Sequence, residues 1–180
     1  MKTWVISDTH WYHENIIKLC HRPFLSAKEM NEKLIENWNS VVSRDDTVYH
    51  LGDFAFRHEK GTVYDIFKQL NGKKHLIIGN HDSEEVINLP WETTSLIKEI
   101  KINGKKLVLC HYPIRSWNGM YRGTINLYGH EHGNILDYSN CCDVGVDKWN
   151  FFPITLEQIL ARIEKLVPWT AKVSYLPSNR

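Results

Sequence analysis

Seven side chains, Asp8, His10, Asp53, Asn80, His111, His130 and His132, carry donor atoms that divalent cations accept, and each stands where an apolar run breaks off. They fall in five short motifs: Asp8-Thr9-His10, Gly52-Asp53, Gly79-Asn80-His81-Asp82, a lone His111, and Gly129-His130-Glu131-His132. Aspartate offers a hard oxygen, histidine a borderline nitrogen and asparagine a neutral carbonyl oxygen. That mixture suits manganese, iron, zinc and similar ions better than thiolate-seeking metals or calcium. The donors suffice for two ions, and one carboxylate can bridge a pair. Taken singly, each motif has a commonplace reading: a capped turn, a strand exit, an Asx turn, a rim histidine. Their joint occurrence at successive strand termini is what specifies a site.

The elements that must position these residues are legible in the periodicity. Thr3–Ser7, Thr47–Leu51 and His75–Gly79 are short, β-branched or aromatic-rich runs of strand length. Between the first two the spacing predicts a helix over 28–43, with Met30, Leu34, Trp38 and Val41 on one face. Ser26 and Glu29 form a capping box, and Leu25 is placed to staple onto Met30. A second helix is predicted over 62–70, ended by Asn71-Gly72 as a left-handed C-cap. The order β-α-β-α-β implies parallel strands joined by right-handed crossovers. Leu96–Ile102 and Lys105–Cys110 then flank Asn103-Gly104, a strong hairpin signal. Strands follow at Ile125–Tyr128, Asn134–Leu136 and Cys141–Val146, and a last helix starts at Thr155 with Gln158 completing its capping box. Residues 168–180 form a tail whose structure the pattern does not decide. The fold class is therefore α/β: two packed mixed β-sheets, a β-sandwich, flanked by α-helices in one domain. In such sheets ligands sit outside the carboxyl ends of the strands, where all five motifs fall.

Composition narrows the partners. The 180 residues carry a formal net charge of +1, which argues against an extensive nucleic-acid surface or adhesion to membranes. Nothing approaches the run of ~20 apolar residues needed to span a bilayer, and the N-terminus is too short in apolar residues for a secretory signal. The four cysteines, Cys20, Cys110, Cys141 and Cys142, have neither disulfide-framework nor zinc-pair spacing, and read as reduced core thiols of a cytoplasmic protein.

In their order and identity the five motifs resemble the signature of the calcineurin-like metallophosphoesterases, over Asp8 to His132, about two thirds of the chain. Asp143-Val144-Gly145-Val146-Asp147 is similar to the strand those enzymes place after the last motif, and the chain's brevity resembles the small, uncapped members of bacteria and phages. The resemblance implies a metallophosphoesterase-like fold and a cofactor of two divalent ions, manganese first, with iron, zinc or nickel as alternatives. It implies that Asp8, His10 and His132 hold one ion, that Asn80, His111 and His130 hold the other, and that Asp53 bridges them. His81 becomes the catalytic acid and Asp82 the carboxylate that orients its ring. A hydroxide activated by the ions would then attack phosphorus while His81 protonates the leaving oxygen.

Flanking residues suggest a small phosphate-ester or nucleotide substrate. Arg57 and Arg115 are placed to fork onto phosphate oxygens, while Trp11, Tyr12 and Trp117 either stack on a base or pack loop against core. Without a long insertion for a cap, the cleft is expected to admit a phosphodiester, such as a nucleotide or cyclic nucleotide. A phosphomonoesterase or protein phosphatase on the same metals, a nuclease and a non-catalytic scaffold are the alternatives. Of the remaining histidines, His13 and His50 are expected near enough to tune the site.

Overall fold

The computed structural model describes residues 1–57, 59–138 and 140–166. The 168–180 tail and His58 lie outside them. In chain order the elements are β1 (Thr3–Ile6), α1 (Glu14–Leu19), α2 (Ala27–Val41), β2 (Thr47–His50), α3 (Thr62–Gln69), β3 (Lys73–Ile77), α4 (Glu84–Ile87), β4 (Thr93–Ser95), β5 (Ile97–Ile102), β6 (Lys105–Cys110), β7 (Ile125–Tyr128), β8 (Cys141–Asp143), β9 (Ile154–Thr155) and α5 (Leu156–Ile163). Two sheets result, one ordered β4-β3-β2-β1-β9 and the other β5-β6-β7-β8. β1 to β4 run parallel, with β9 antiparallel on the edge. In the second sheet the β5–β6 hairpin is antiparallel and β6, β7 and β8 are parallel. This is the expected architecture of two mixed sheets with helices.

Side-chain alternation along β1 divides the core. Successive residues of a strand face opposite sides, so Trp4 and Ile6 join Met30, Leu34, Trp38, Val63, Phe67 and Leu76 beneath the helices. Val5 faces the other way, joining Ile77, Leu107, Leu109, Leu127 and Ile159 in a second core that includes both sheets. β1 is thus buried on both faces, which is why its sequence is a continuous apolar run rather than an alternation. Each such side chain contributes about 1.5–3 kcal/mol when fully buried.

Local expectations meet several corrections. Ser26 caps α2, its hydroxyl accepting from Glu29 N at 3.2 Å, but the Glu29 carboxylate accepts from Leu25 N at 2.7 Å, so the box closes one residue early. Leu25 is 93% exposed and staples nothing. The residue ending α3 is Leu70, in extended conformation; Gly72, with φ +92°, turns the chain two residues later. Residues 134–136 form a loop rather than a strand, and the strand predicted over 141–146 ends at Asp143, with a 3-10 turn at Val146–Lys148. α1, α4, β4 and β9 are too short to show a period and went unpredicted. Two expectations hold closely: Asn103 and Gly104 both have positive φ, as a tight hairpin turn needs, and Thr155 with Gln158 makes a complete capping box. Among the described residues no helix is long and apolar enough to cross a membrane.

Candidate metal centre

The loops that follow the strands extend the sheet's parallel pairing and so hold the motifs in register. Beyond β1, Asp8 N donates to Gly52 O (3.1 Å), His10 N to Asp53 O (3.0 Å) and Trp11 N to Phe54 O (2.9 Å); beyond β7, Gly129 N donates to His111 O (2.9 Å). Trp11 is fully buried in the core under the helices, and Tyr12 donates to Thr62 O at 2.9 Å, so both anchor the first loop. Five of the motif residues, Asp8, His10, Asp53, His130 and His132, have φ between 47° and 71°. That left-handed conformation costs a non-glycine residue about 1–2 kcal/mol. Concentrated here, it turns consecutive side chains towards one point. Gly52 (φ +89°) allows a close approach between loops, since a Cβ on it would lie 2.6 Å from Gly79 N and 2.7 Å from His111 Nδ1.

Two donor clusters result. Asp8, His10 and His132 each present a ligand atom within 4.8 Å of the others, and so do Asp53, His111 and His130. Asp53 stands between them: its Oδ2 lies 3.5 Å from His10 Nε2, and its Oδ1 lies 3.5 Å from His111 Nε2. Asn80 joins the second cluster, its Oδ1 being 3.0 Å from His111 Nε2.

Hydrogen bonding on the far side of two rings sets which nitrogen faces the centre. His111 Nδ1 lies 2.7 Å from Leu51 O, a carbonyl that can only accept, so the ring must donate there and Nε2 faces Asp53 and Asn80. His132 Nδ1 lies 2.7 Å from Asp147 Oδ2, which leaves its Nε2 for the cleft. His10 Nε2 is buried without a hydrogen-bond partner. Lone pairs from imidazoles, carboxylates and an amide oxygen therefore converge on one place; His130 N donates to Asp8 and His81 N to Asp53, but nothing meets His10 Nε2. A cation satisfies such a set, and the donor types fit hard-to-borderline divalent ions. The third grouping, Cys20 with His132 and Asp147, is different, because both Asp147 oxygens are already taken by Arg22.

The electrostatics point the same way. Burial pushes the Asp8 carboxyl up to about 7, against the pull of His132 and His111. Burial also opposes the charge on Asp53, yet His111 and His10 beside it hold it far below the usual carboxylate range. Burial drives His10 well below the ordinary imidazole value, so its ring is a neutral donor. His111 is raised despite burial, by the Asp53 carboxylate facing it.

Of the residues that support the ligands, Arg22 escaped the sequence reading, whereas His13 and His50 were expected near the site. Arg22, 4% exposed, donates to both oxygens of Asp147 (2.8 and 2.9 Å), to Thr9 O (3.1 Å) and to Asp8 O (2.8 Å). It ties the first loop to the carboxylate that holds His132. Asp147 lay in a flagged stretch, but Arg22 sits between helices with nothing in its neighbours to mark it. His13 Nδ1 lies 3.2 Å from His10 Nδ1, and burial lowers its pKa to about 4, so it braces His10 as a neutral ring. His50 Nε2 meets the Thr9 hydroxyl at 3.0 Å under the floor.

Asp82 differs from expectation. Its carboxylate accepts from Gly79 N (2.8 Å), Asp53 N (3.1 Å) and Phe54 N (2.7 Å), clamping two ligand loops together instead of orienting the His81 ring. Burial pushes this carboxyl up to about 6, against those three N–H groups. His81 stands at the rim, its side chain 37% exposed, with Nε2 4.0 Å from Asp53 Oδ2 and its ring edge-on to Phe56. It shares with Arg57, Phe56, His13 and Asn134 the wall of a cleft of about 520 Å³. Cys20 also lines this cleft and is not a core thiol. Arg115 does not line it; together with Trp117 it borders a separate cavity.

Known proteins give the arrangement its context. The family described as calcineurin-like phosphoesterase matches residues 1–178. An uncharacterised protein of Methanocaldococcus jannaschii, MJ1445, is 38% identical over 172 residues, spanning 91% of this chain and 92% of its own. The gene 66 protein of Mycobacterium phage L5 is 25% identical over 181 residues, 82% of this chain and 87% of its own. Among solved structures, a protein of unknown function from Aquifex aeolicus superposes with a TM-score of 0.71 at 28% identity, covering 89% of this chain and 98% of that one. The strand ends that meet around Asp53 all lie inside the matched stretch, and the chain belongs to the calcineurin-like phosphoesterases.

Proposed function

We propose that the chain hydrolyses phosphodiesters, a nucleotide or cyclic nucleotide among them, at two divalent cations, with His81 as the acid. The observation that carries this reading is Asp53, whose two oxygens face imidazoles of separate clusters. Asp8, His10 and His132 would hold one ion; Asn80, His111 and His130 would hold the other, and Asp53 would join them. When bound, such a pair supplies Lewis acidity to the phosphoryl oxygens and lowers the pKa of a water nucleophile. The remaining work falls to the chain. Asp8 and Asp53 supply negative charge to a buried site, Arg22 and Asp147 fix His132, and Asp82 fixes the Asp53 loop. His81, at the rim and within 4.0 Å of Asp53, is placed to hold a proton for the departing oxygen. Arg57, beside it in the cleft wall, is placed to meet a non-bridging phosphate oxygen. Manganese is the proposed ion, and a reducing cytoplasm is the proposed compartment, in keeping with the four free cysteines.

The test uses chelator-stripped protein reconstituted with Mn²⁺ and offered diester, monoester and 2′,3′-cyclic phosphates. Turnover of diesters is expected, and activity confined to monoesters would replace the diester reading. His81→Ala should retain its metal yet lose ~10²–10⁴ in rate, most for poor leaving groups. Equal losses across leaving groups would remove His81 from the acid role.

A further inference from the structure

A second cavity, of about 340 Å³, lies beside the metal cleft on the outer face of the second sheet. Along β7, Ile125 and Leu127 join the core between the sheets, so Asn126 and Tyr128 face outward. The segments following His111 and His132 fold over these two residues. Ile114, Trp117, Met120, Ile135 and Leu136 make the walls apolar. Leu136 is left 80% exposed at the rim.

Two buried polar atoms here are left over, and both are acceptors. Asn126 is completely buried, and its Nδ2 donates to Val108 O (3.1 Å) and Leu127 O (3.3 Å). Turning the amide over would set its oxygen against those two carbonyls, so the orientation is fixed and Oδ1 faces away from them. Asn126 Oδ1 has no hydrogen-bond partner, and neither has Asn140 Oδ1, from the residue beside it, whose carbonyl accepts from Asn126 N at 3.0 Å. Two donors nearby are already used: Trp117 Nε1 serves Thr124 O at 2.9 Å, and the Tyr128 hydroxyl serves Asp137 Oδ1 at 2.8 Å. What remains is a largely apolar space with two unanswered acceptors and Arg115 at its edge, its walls including the Trp117 and Tyr128 rings. A buried acceptor left unpaired is costly, so the complement is an apolar, planar group that brings N–H donors.

The cavity also adjoins the reacting centre. Asn134 lines the metal cleft and the next residue, Ile135, lines this cavity. Tyr128 lies two residues before His130, and Pro113 two after His111. Tyr112 packs edge-on against both histidines, at 4.7 and 5.0 Å. We propose that this cavity receives the heterocyclic base of a nucleotidyl phosphodiester, selecting bases with an exocyclic amine through Asn126 and Asn140. The proposal rests on the phosphodiesterase reading, and makes the substrate a nucleotide ester rather than a simple alkyl one. Arg115 then faces the ester from the base side, as Arg57 does from the metal side.

The experiment compares three Mn²⁺-supported substrates: the p-nitrophenyl ester of adenosine 5′-phosphate, the same ester of purine riboside 5′-phosphate, which carries hydrogen in place of the amine, and bis(p-nitrophenyl) phosphate. The adenosine ester should exceed the purine riboside ester about tenfold in kcat/KM, the worth of one to two buried hydrogen bonds. Leu136→Ala and Trp117→Ala should each lower kcat/KM for the adenosine ester at least tenfold more than for bis(p-nitrophenyl) phosphate. Leu136 is at the surface, so that variant folds even if Trp117→Ala does not. Equal values for the two nucleotide esters, with the simple diester hydrolysed, would overturn the base site and leave the phosphodiesterase reading standing. Should no ester turn over, calorimetry of adenosine 5′-phosphate against purine riboside 5′-phosphate decides the cavity alone: no binding, or equal binding, defeats it.

Discussion

Replacing Asp82 by alanine separates two accounts of how the ligand loops are held. Its carboxylate accepts three backbone N–H groups, from Gly79, Asp53 and Phe54, at 2.7–3.1 Å. Two of these belong to the loop that carries Asp53, and the third precedes Asn80. Each buried N–H left without an acceptor costs about 1–3 kcal/mol. Relief of the carboxylate's desolvation and entry of water offset part of this, so a net loss of about 2 kcal/mol is the conservative expectation. For a domain of this length that lowers the melting temperature by roughly 4–8 °C. Because the clamp supports ligands from both clusters, Mn²⁺ affinity should weaken by about 10–100-fold, as when residues behind metal ligands are removed. Calorimetric titration with Mn²⁺ and thermal melts of the chelator-stripped protein measure both. At saturating Mn²⁺, the loss of turnover should not depend on the leaving group. The reasoning fails if stability and Mn²⁺ affinity stay unchanged while turnover of poor leaving groups falls selectively, because Asp82 would then act through His81.

Three further outcomes follow from the same geometry. Arg22→Leu leaves Asp147 with His132 as its one charged partner among the described residues and frees the carbonyls of Asp8 and Thr9, so it should cost about 3 kcal/mol; an unchanged urea midpoint would show the buried pair to be dispensable. Arg22→Lys should recover little of this, since an ammonium cannot reproduce the two-pronged bond. Gly52→Ala sets a Cβ 2.6 Å from Gly79 N at a φ of +89°, and should lower both the melting temperature and the bound Mn²⁺ measured by atomic absorption; wild-type values in both would contradict the packing. Asp46 accepts from Lys2 N, Trp4 Nε1 and Ser43 N, and these bonds, the Lys2 amide foremost, hold its pKa below the ordinary value. Its folded pKa lies below the unfolded ~3.9, so its contribution is full above that pH and fades as pH falls through the folded value. Asp46→Asn should therefore destabilise at pH 7 and converge on wild type in strong acid. A constant difference from pH 7 to pH 2 would refute the linkage.

By itself the sequence determined the principal strands, the three longer helices, the hairpin and the order in which donor residues leave the sheets. These are local matters: a continuous apolar run ended by a polar donor, or Asn103-Gly104 between strands, carries its meaning within a few residues. The seven metal-ligand candidates were legible for that reason, because parallel strands deliver their carboxyl ends to one edge. Tertiary structure decided everything that depends on which backbone group happens to face a side chain. Asp82 looked like the partner of its neighbour His81, yet two of its three bonds go to a loop twenty-eight and twenty-nine residues away. Arg22 reaches Asp147 across 125 residues, a distance over which no periodicity or spacing can speak. The same holds for the left-handed φ at Asp8, Asp53 and His130, since only the closeness of Gly52, Gly79 and Gly129 to the opposing loops lets those strained turns persist. The orphaned Asn126 oxygen belongs to this class as well: its significance lies in two carbonyls that fix the amide from one side and a cavity that waits on the other.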